Sequence, residues 1–178
     1  MVSKNNIKVR LKAAGNLAKV MTIVSALFVM LCISAPLLPF SLNLTPSMPR
    51  GLYYTYDCSP IKGDIIQFRP DEGVWQFALE RGYITDRMEG MIKTIVATSG
   101  DRICWRGGKV YINGEILAEV AQKDSNGRPL GHEPECVTLA KGQFLPMAPD
   151  YPKSYDGRYF GLINSENVKS CARAVLTF

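Results

Sequence analysis

The sequence predicts a mainly β domain that follows a single N-terminal transmembrane helix. Residues 20–40 contain no charged side chain, and the chain beyond residue 50 contains short runs of β-branched and aromatic residues separated by glycine-rich turns. With 47% hydrophobic and 21% charged residues, the composition is that of a folded chain. We therefore divide the 178 residues into a basic tail (1–19), an anchor (20–40) and a folded domain (41–178).

The uncharged run from Val20 to Phe40 is 21 residues long, enough for a helix to cross roughly 30 Å of hydrocarbon. A cleavable signal peptide is the alternative, because the tail is basic and Ser34 and Ala35 lie near the end of the run. The run is longer than the usual signal-peptide core of about 7–15 residues, and Pro36 and Pro39 follow without an A-x-A site. We interpret it as an anchor that is not removed.

The net positive charge lies in the tail. Five of the 21 Lys and Arg residues occur there without an acid, so the rest of the chain has 16 basic and 16 acidic residues. A neutral domain without a basic stripe argues against nucleic acid as the main partner. The positive-inside bias predicts a cytoplasmic amino terminus and an exported folded domain.

Four cysteines lie outside the predicted anchor: Cys58, Cys104, Cys136 and Cys171. An even number in an exported domain favours disulfides, and among the three connectivities we prefer the one that pairs Cys104 with Cys136. Buried free thiols remain the alternative. With one histidine and no C-x-x-C motif in the chain, we expect no metal site and no cofactor.

The exported part is expected to be built mainly from strands. The patterns predict strands at 52–56, 64–68, 92–97, 102–106 and 109–112. Gly107-Gly108 and Asn113-Gly114 suit tight hairpin turns, so residues 101–118 should form a meander. Residues 74–82 have helical spacing of apolar side chains, and the polar, Gly- and Pro-rich residues 121–136 predict a surface excursion.

Ser47 is a candidate nucleophile in an unusual setting. Pro46 and Pro49 stiffen the backbone on both sides, and the apolar Met48 beside it can lie toward a membrane or the core. A serine hydroxyl reacts only when a neighbouring base takes its proton. One candidate base is His132, which lies in a polar loop where a solvated side chain is the alternative.

Lys93 is the second candidate base, because it interrupts an apolar strand. Strand alternation places Met91, Lys93, Ile95 and Ala97 on one face. Burial on this face would lower the pKa of Lys93 from about 10.4, and lowering it by about three units costs roughly 4 kcal/mol. The alternative is a lysine whose amine reaches out to solvent.

Four segments occur in the order and with the spacing of the motifs in a known family. They are PSMPRGLY (46–53), KGDIIQF (62–68), IKTIVATSGDRI (92–103) and KSYDGRYFG (153–161). These segments resemble the conserved boxes of the membrane-anchored serine-lysine signal peptidases, and most of all the TraF-type conjugative-transfer peptidases, which mature the pilin of a plasmid's transfer apparatus. The resemblance implies a signal-peptidase-like β-rich catalytic domain with Ser47 as nucleophile and Lys93 as general base.

The resemblance also implies roles for residues around these two. Thr45 would help the backbone N–H of the nucleophile to hold the oxyanion, although it can also simply lead into a turn. Ser154 would hydrogen-bond Lys93 and orient it. Asp156, which TraF-type enzymes are thought to need, would pair with Arg158, since a carboxylate touching the lysine would raise its pKa. The serine that often precedes this arginine in the family is Gly157 here.

The function that follows is an expectation: an inner-membrane serine endopeptidase, facing the periplasm, that cleaves an exported precursor through an acyl-enzyme. The expected partners are a pilin precursor, inner-membrane lipid and other conjugative-transfer proteins, and not nucleic acid. Water or the substrate's own amino terminus could resolve the acyl-enzyme, the latter giving a cyclic pilin. A general leader peptidase and a non-catalytic component of a secretion or pilus-assembly complex are the alternatives. The small size disfavours the first, and the presence of both Ser47 and Lys93 disfavours the second.

Overall fold

A computed structural model of the chain describes residues 4–34, 38–131 and 135–178, and it contains two compact units, Met1–Pro39 and Phe40–Phe178. The first unit contains helix α1 (Lys4–Ser34), which begins inside the predicted basic tail. Within the described ranges, no helix combines the length and the hydropathy needed to cross a bilayer. The predicted anchor at 20–40 includes residues outside those ranges and stays a prediction.

The second unit is mainly β, as predicted. Its strands are β1 (Phe40–Asn43), β2 (Gly51–Tyr56), β3 (Ile65–Phe68), β4 (Met91–Ala97), β5 (Arg102–Arg106), β6 (Lys109–Ile112), β7 (Glu115–Glu119), β8 (Glu135–Thr138), β9 (Gln143–Met147), β10 (Ile163–Asn164) and β11 (Val168–Thr177). Its helices are α2 (Glu72–Glu80) and α3 (Gly157–Phe160), with a 3₁₀ turn at Ser165–Asn167. All five predicted strands are present within one residue of their expected bounds, and the predicted helix begins two residues early.

The strands of the described residues form two antiparallel sheets. The larger sheet has the order β1-β2-β11-β3-β4-β9-β10, and the smaller has the order β7-β6-β5-β8. The predicted meander is confirmed as β5, β6 and β7. Gly107, Gly108, Asn113 and Gly114 adopt positive φ angles at its two turns, which is the conformation that these residue types tolerate.

The polar excursion is confirmed for residues 121–131, which are mostly exposed and contain one isolated bridge, between Lys123 and Pro129. The Asp124 carboxylate holds this segment, because it accepts hydrogen bonds from Arg128 Nε and from the Tyr83 hydroxyl, each at 2.7 Å. The end of the predicted excursion is wrong, since Glu135 already begins strand β8. His132 lies outside the described residues.

Two disulfides join distant parts of the second unit. Cys104 and Cys136 lie directly opposite each other on β5 and β8 and are bonded, as preferred from the sequence. Cys58 is bonded to Cys171, which ties the segment after β2 to strand β11. The free-thiol alternative is therefore wrong.

Candidate active site

Ser47 lies in a hairpin loop, residues 44–50, that connects β1 to β2. Asn43 and Gly51 face each other as the last cross-strand pair below this loop. Met48 anchors the loop, because its side chain is buried in a cluster that includes Tyr53 and Ile92. Of the two orientations left open for Met48, the structure therefore shows the one toward the core. Ser47 itself remains partly exposed beside that core.

Lys93 projects from the middle of β4, between β3 and β9 in the larger sheet. Its side chain is buried, with 4% of the residue exposed, so the alternative of an amine in solvent is wrong. The Lys93 Nζ lies 2.7 Å from the Ser47 Oγ, which is hydrogen-bond distance. An ammonium at this position donates to the hydroxyl, whereas a neutral amine accepts the hydroxyl hydrogen.

Burial lowers the pKa of Lys93 to about 8, because the surroundings disfavour the charged ammonium. The nearby Asp156 carboxylate opposes this change by raising the pKa, and the Arg158 guanidinium adds to it. With a pKa of about 8, roughly a tenth of the Lys93 amines are neutral at pH 7. This fraction is far larger than that of a solvent-exposed lysine, so the amine can serve as a base.

Asp156 and Arg158 form the buried pair that the resemblance implies, with 0% and 1% of the two residues exposed. The Arg158 Nε donates to one carboxylate oxygen at 2.8 Å and Nη2 donates to the other at 3.1 Å. The Ala148 N–H also donates to Asp156, while Arg158 donates to the Ala148 carbonyl. The carboxylate is thus neutralised by its own guanidinium and fixed to the chain that follows β9.

Gly157 separates these two residues, and the structure explains why it is a glycine. A Cβ at this position would lie 2.6 Å from the Leu145 Cδ1 and 2.8 Å from the Pro146 carbonyl oxygen. A serine here would push the first turn of α3 away from β9. The departure from the family pattern is therefore matched by close packing.

Thr45 lies near the nucleophile, with its Oγ1 3.1 Å from the Ser47 Oγ. The Thr45 hydroxyl donates to the Asn43 Oδ1 at 2.7 Å. No described residue accepts a hydrogen bond from the Ser47 N–H, which is therefore available to a ligand. The two donors expected for an oxyanion thus lie on the same loop as the candidate nucleophile.

Ser154 is buried, but the structure does not bring its hydroxyl into a hydrogen bond with Lys93. Its Oγ has no partner among the described residues, and its N–H donates to the Tyr151 carbonyl at 2.9 Å. A buried hydroxyl without a partner is unfavourable, so this atom is poised to accept a hydrogen bond. The orienting role of Ser154 stays a prediction.

Asn43 is a residue of the site that the sequence reasoning missed. Its side chain is buried and forms hydrogen bonds within the loop that carries Ser47. The available signal was a polar asparagine three residues after the predicted anchor and four residues before the serine. That signal was hidden because Phe40, which begins β1, was counted with the anchor.

The family described as signal peptidase, peptidase S26 matches residues 14–177. Because this match covers nearly the whole chain, the protein belongs to that family. The resemblance stated from the four sequence motifs is confirmed at this level.

Among individual relatives, the chain is 37% identical to the plasmid transfer protein TraF of Escherichia coli over 145 residues, which cover 76% of this chain and 82% of that protein. It is 29% identical to the probable signal peptidase I-2 of Synechocystis over 119 residues, which cover 67% of this chain and 48% of that protein. A solved structure of signal peptidase I from Enterococcus faecalis covers 65% of this chain and 98% of its own, with 19% identity and a TM-score of 0.37.

Proposed function

We propose that this protein is a serine endopeptidase in which Ser47 is the nucleophile and Lys93 is its general base. The observation that carries the proposal is the 2.7 Å separation of the Ser47 Oγ from a buried Lys93 amine with a pKa lowered to about 8. Membership of a peptidase family supports the same conclusion independently of this distance.

The proposed reaction begins when the neutral Lys93 amine accepts the proton of the Ser47 hydroxyl while the Ser47 Oγ bonds to the substrate carbonyl carbon. The Ser47 N–H and the Thr45 hydroxyl donate hydrogen bonds to the oxyanion that forms. The Lys93 ammonium then donates this proton to the leaving amine as the peptide bond breaks. This step leaves an acyl-enzyme on Ser47, which either water or a substrate amino group can resolve.

Asp156 and Arg158 support this reaction by holding the chain around the site in position and by balancing the charge near Lys93. The bidentate pair neutralises a carboxylate that would otherwise stabilise the Lys93 ammonium. Ser154, whose buried Oγ has no hydrogen-bond partner among the described residues, is proposed to accept a hydrogen bond from that ammonium once it forms.

The proposed substrate is an exported precursor, first of all the propilin of a conjugative transfer system. The name of the Escherichia coli relative, plasmid transfer protein, supports this class, and that relative is more similar and more fully covered than the Synechocystis signal peptidase. The latter likeness favours the second candidate, a general leader peptidase. Whether hydrolysis or cyclisation follows acylation is part of the test.

We place the catalytic unit in the periplasm, anchored to the inner membrane by residues 20–40. The two disulfides support an exported location, because such bonds persist in oxidising compartments. Exposed apolar side chains on three neighbouring strands at one end of the larger sheet, Phe40 and Leu42 on β1, Tyr54 on β2 and Leu176 on β11, support proximity to lipid.

The test is mass spectrometry of exported precursors from cells that carry the wild type, Ser47→Ala or Lys93→Ala. We expect both variants to leave the precursor uncleaved. In the wild type, the mass of the product separates the two outcomes, because a cyclic product is lighter than the linear one by one water. Ser125→Ala and Lys141→Ala change an exposed serine and an exposed lysine and serve as controls with normal processing. Normal processing in Ser47→Ala or Lys93→Ala would contradict the proposal, whereas processing of many secreted precursors would favour the leader-peptidase alternative.

A further inference from the structure

The Asn43 side chain forms hydrogen bonds with several residues of the Ser47 loop, although it lies outside the four sequence motifs. The Asn43 Oδ1 accepts hydrogen bonds from the Thr45 N–H at 3.2 Å and from the Thr45 hydroxyl at 2.7 Å. The Asn43 Nδ2 lies 3.1–3.2 Å from the carbonyl oxygens of Thr45, Met48 and Pro49. Two donors at one end and three acceptors at the other fix the orientation of the amide.

The composition of the loop explains why such a residue is needed. Pro46 and Pro49 have no N–H, so the loop has few donors of its own for its carbonyl groups. Asn43 supplies these donors from the end of β1, and it is buried, with 5% of the residue exposed. Because buried polar groups need partners, this network holds the loop in one conformation.

We propose that Asn43 is a positioning residue that acts through Thr45, an inference that rests on the proposed function. The Thr45 Oγ1 lies between the Asn43 Oδ1 and the Ser47 Oγ, at 2.7 Å and 3.1 Å. In the resting site the Thr45 hydrogen points to Asn43. When charge develops on the substrate carbonyl oxygen, a rotation about the Cβ–Oγ1 bond turns this hydrogen to the oxyanion, while the N–H bond to Asn43 keeps Thr45 in place.

Tyr53 offers a matched control for simple rigidity of the loop. Its hydroxyl donates to the Pro49 carbonyl at 2.8 Å, the same carbonyl that Asn43 contacts, and its side chain is buried. Tyr53 forms no hydrogen bond with Thr45 among the described residues. A loop-stiffening role is therefore shared by both residues, but only Asn43 can control the Thr45 hydroxyl.

The experiment is a set of kinetic double-mutant cycles on the full chain, with a tri-alanine p-nitrophenyl ester as the probe. The Ser47-dependent rate is the wild-type rate minus that of Ser47→Ala. In the wild-type background we expect Thr45→Val to lower kcat by ~100-fold, as loss of one oxyanion donor does. In the Asn43→Ala background we expect Thr45→Val to lower kcat by less than about threefold, because the Thr45 hydroxyl is no longer held in position.

A further background separates positioning from stability. In Tyr53→Phe, which leaves the Asn43 hydrogen bonds to Thr45 in place, we expect Thr45→Val to lower kcat by the same ~100-fold as in the wild type. An equal effect of Thr45→Val on kcat in the wild-type and Asn43→Ala backgrounds would overturn the inference. If Asn43→Ala shows no cooperative unfolding, a much smaller effect of Thr45→Val in Tyr53→Phe overturns it instead, because loop rigidity alone would then set the contribution of Thr45. Absence of any Ser47-dependent rate in the wild type would contradict the proposed function itself, so the two failures are distinguishable.

Discussion

At the scale of single residues, the candidate site depends on polar side chains that are buried next to specific partners. The alternation around Lys93 predicted a buried amine, and burial is confirmed at 4% exposure. Its proximity to Ser47 could not be calculated from the sequence, because 46 positions separate them and the pairing of strands decides the distance. Asn43 was missed for a related reason, since most of its partners are backbone groups of the loop, which have no side-chain signature.

Arg158→Leu tests the charge balance at this scale. The change leaves the Asp156 carboxylate buried without its cation, so we expect the free energy of unfolding to fall by about 3–5 kcal/mol in urea. We also expect the pKa of Lys93 to rise, because the variant lacks the Arg158 guanidinium that lowers this pKa and keeps the Asp156 carboxylate that raises it. Arg173→Leu changes an exposed arginine on β11 and should alter stability by less than about 0.5 kcal/mol. Equal stabilities of the two variants would show that the buried pair does not matter.

At the scale of elements, short strands bounded by glycine turns were predictable and irregular ones were not. Strands β5 and β6 occur at their predicted bounds because the turn residues between them fix their register. Strand β11 was not predicted, since its pairing shifts between Ala174 and Leu176 and its last five residues are exposed. Strand β10 has two residues, too few for any pattern.

Gly157→Ala tests the packing of α3 against β9, with Gly73→Ala in α2 as the matched control. An added Cβ at 157 would meet Leu145 and the Pro146 carbonyl, whereas an added Cβ at 73 meets nothing within 4 Å. We expect Gly157→Ala to destabilise the protein by about 1–3 kcal/mol, and Gly73→Ala to be neutral or stabilising by up to ~1 kcal/mol. Thermal unfolding measures both changes. A neutral Gly157→Ala would mean that this contact relaxes freely.

At the scale of the whole molecule, two disulfides close loops of different length in the second unit. The Cys104–Cys136 pair is confirmed, and with it the Cys58–Cys171 pair, which joins the two cysteines that remain in that connectivity. The mainly β class was predictable from composition and turns. The strand order of the larger sheet was not, since β11 inserts between β2 and β3.

Removal of each disulfide tests how the long-range connections stabilise this unit. The Cys58–Cys171 bond spans 113 residues and the Cys104–Cys136 bond spans 32. On chain entropy alone we expect the Cys58→Ala/Cys171→Ala variant to lose about 5 kcal/mol and the Cys104→Ala/Cys136→Ala variant about 4 kcal/mol. Burial of Cys171 adds to the first loss. Urea unfolding under oxidising conditions measures the free energy of unfolding of both variants. A smaller loss in the Cys58→Ala/Cys171→Ala variant than in the Cys104→Ala/Cys136→Ala variant would contradict this account.

The central claim is that Lys93 loses its proton near neutral pH while it faces Ser47, and an NMR titration of the lysine side chains tests it most directly. Because the folded protein disfavours the ammonium, Lys93 should be charged below its lowered pKa and neutral above it. We predict one lysine signal with a midpoint near pH 8 that is absent in Lys93→Met. If that signal instead titrates near 10.4 with the other lysines, Lys93 is an ordinary ammonium and the proposed base is contradicted.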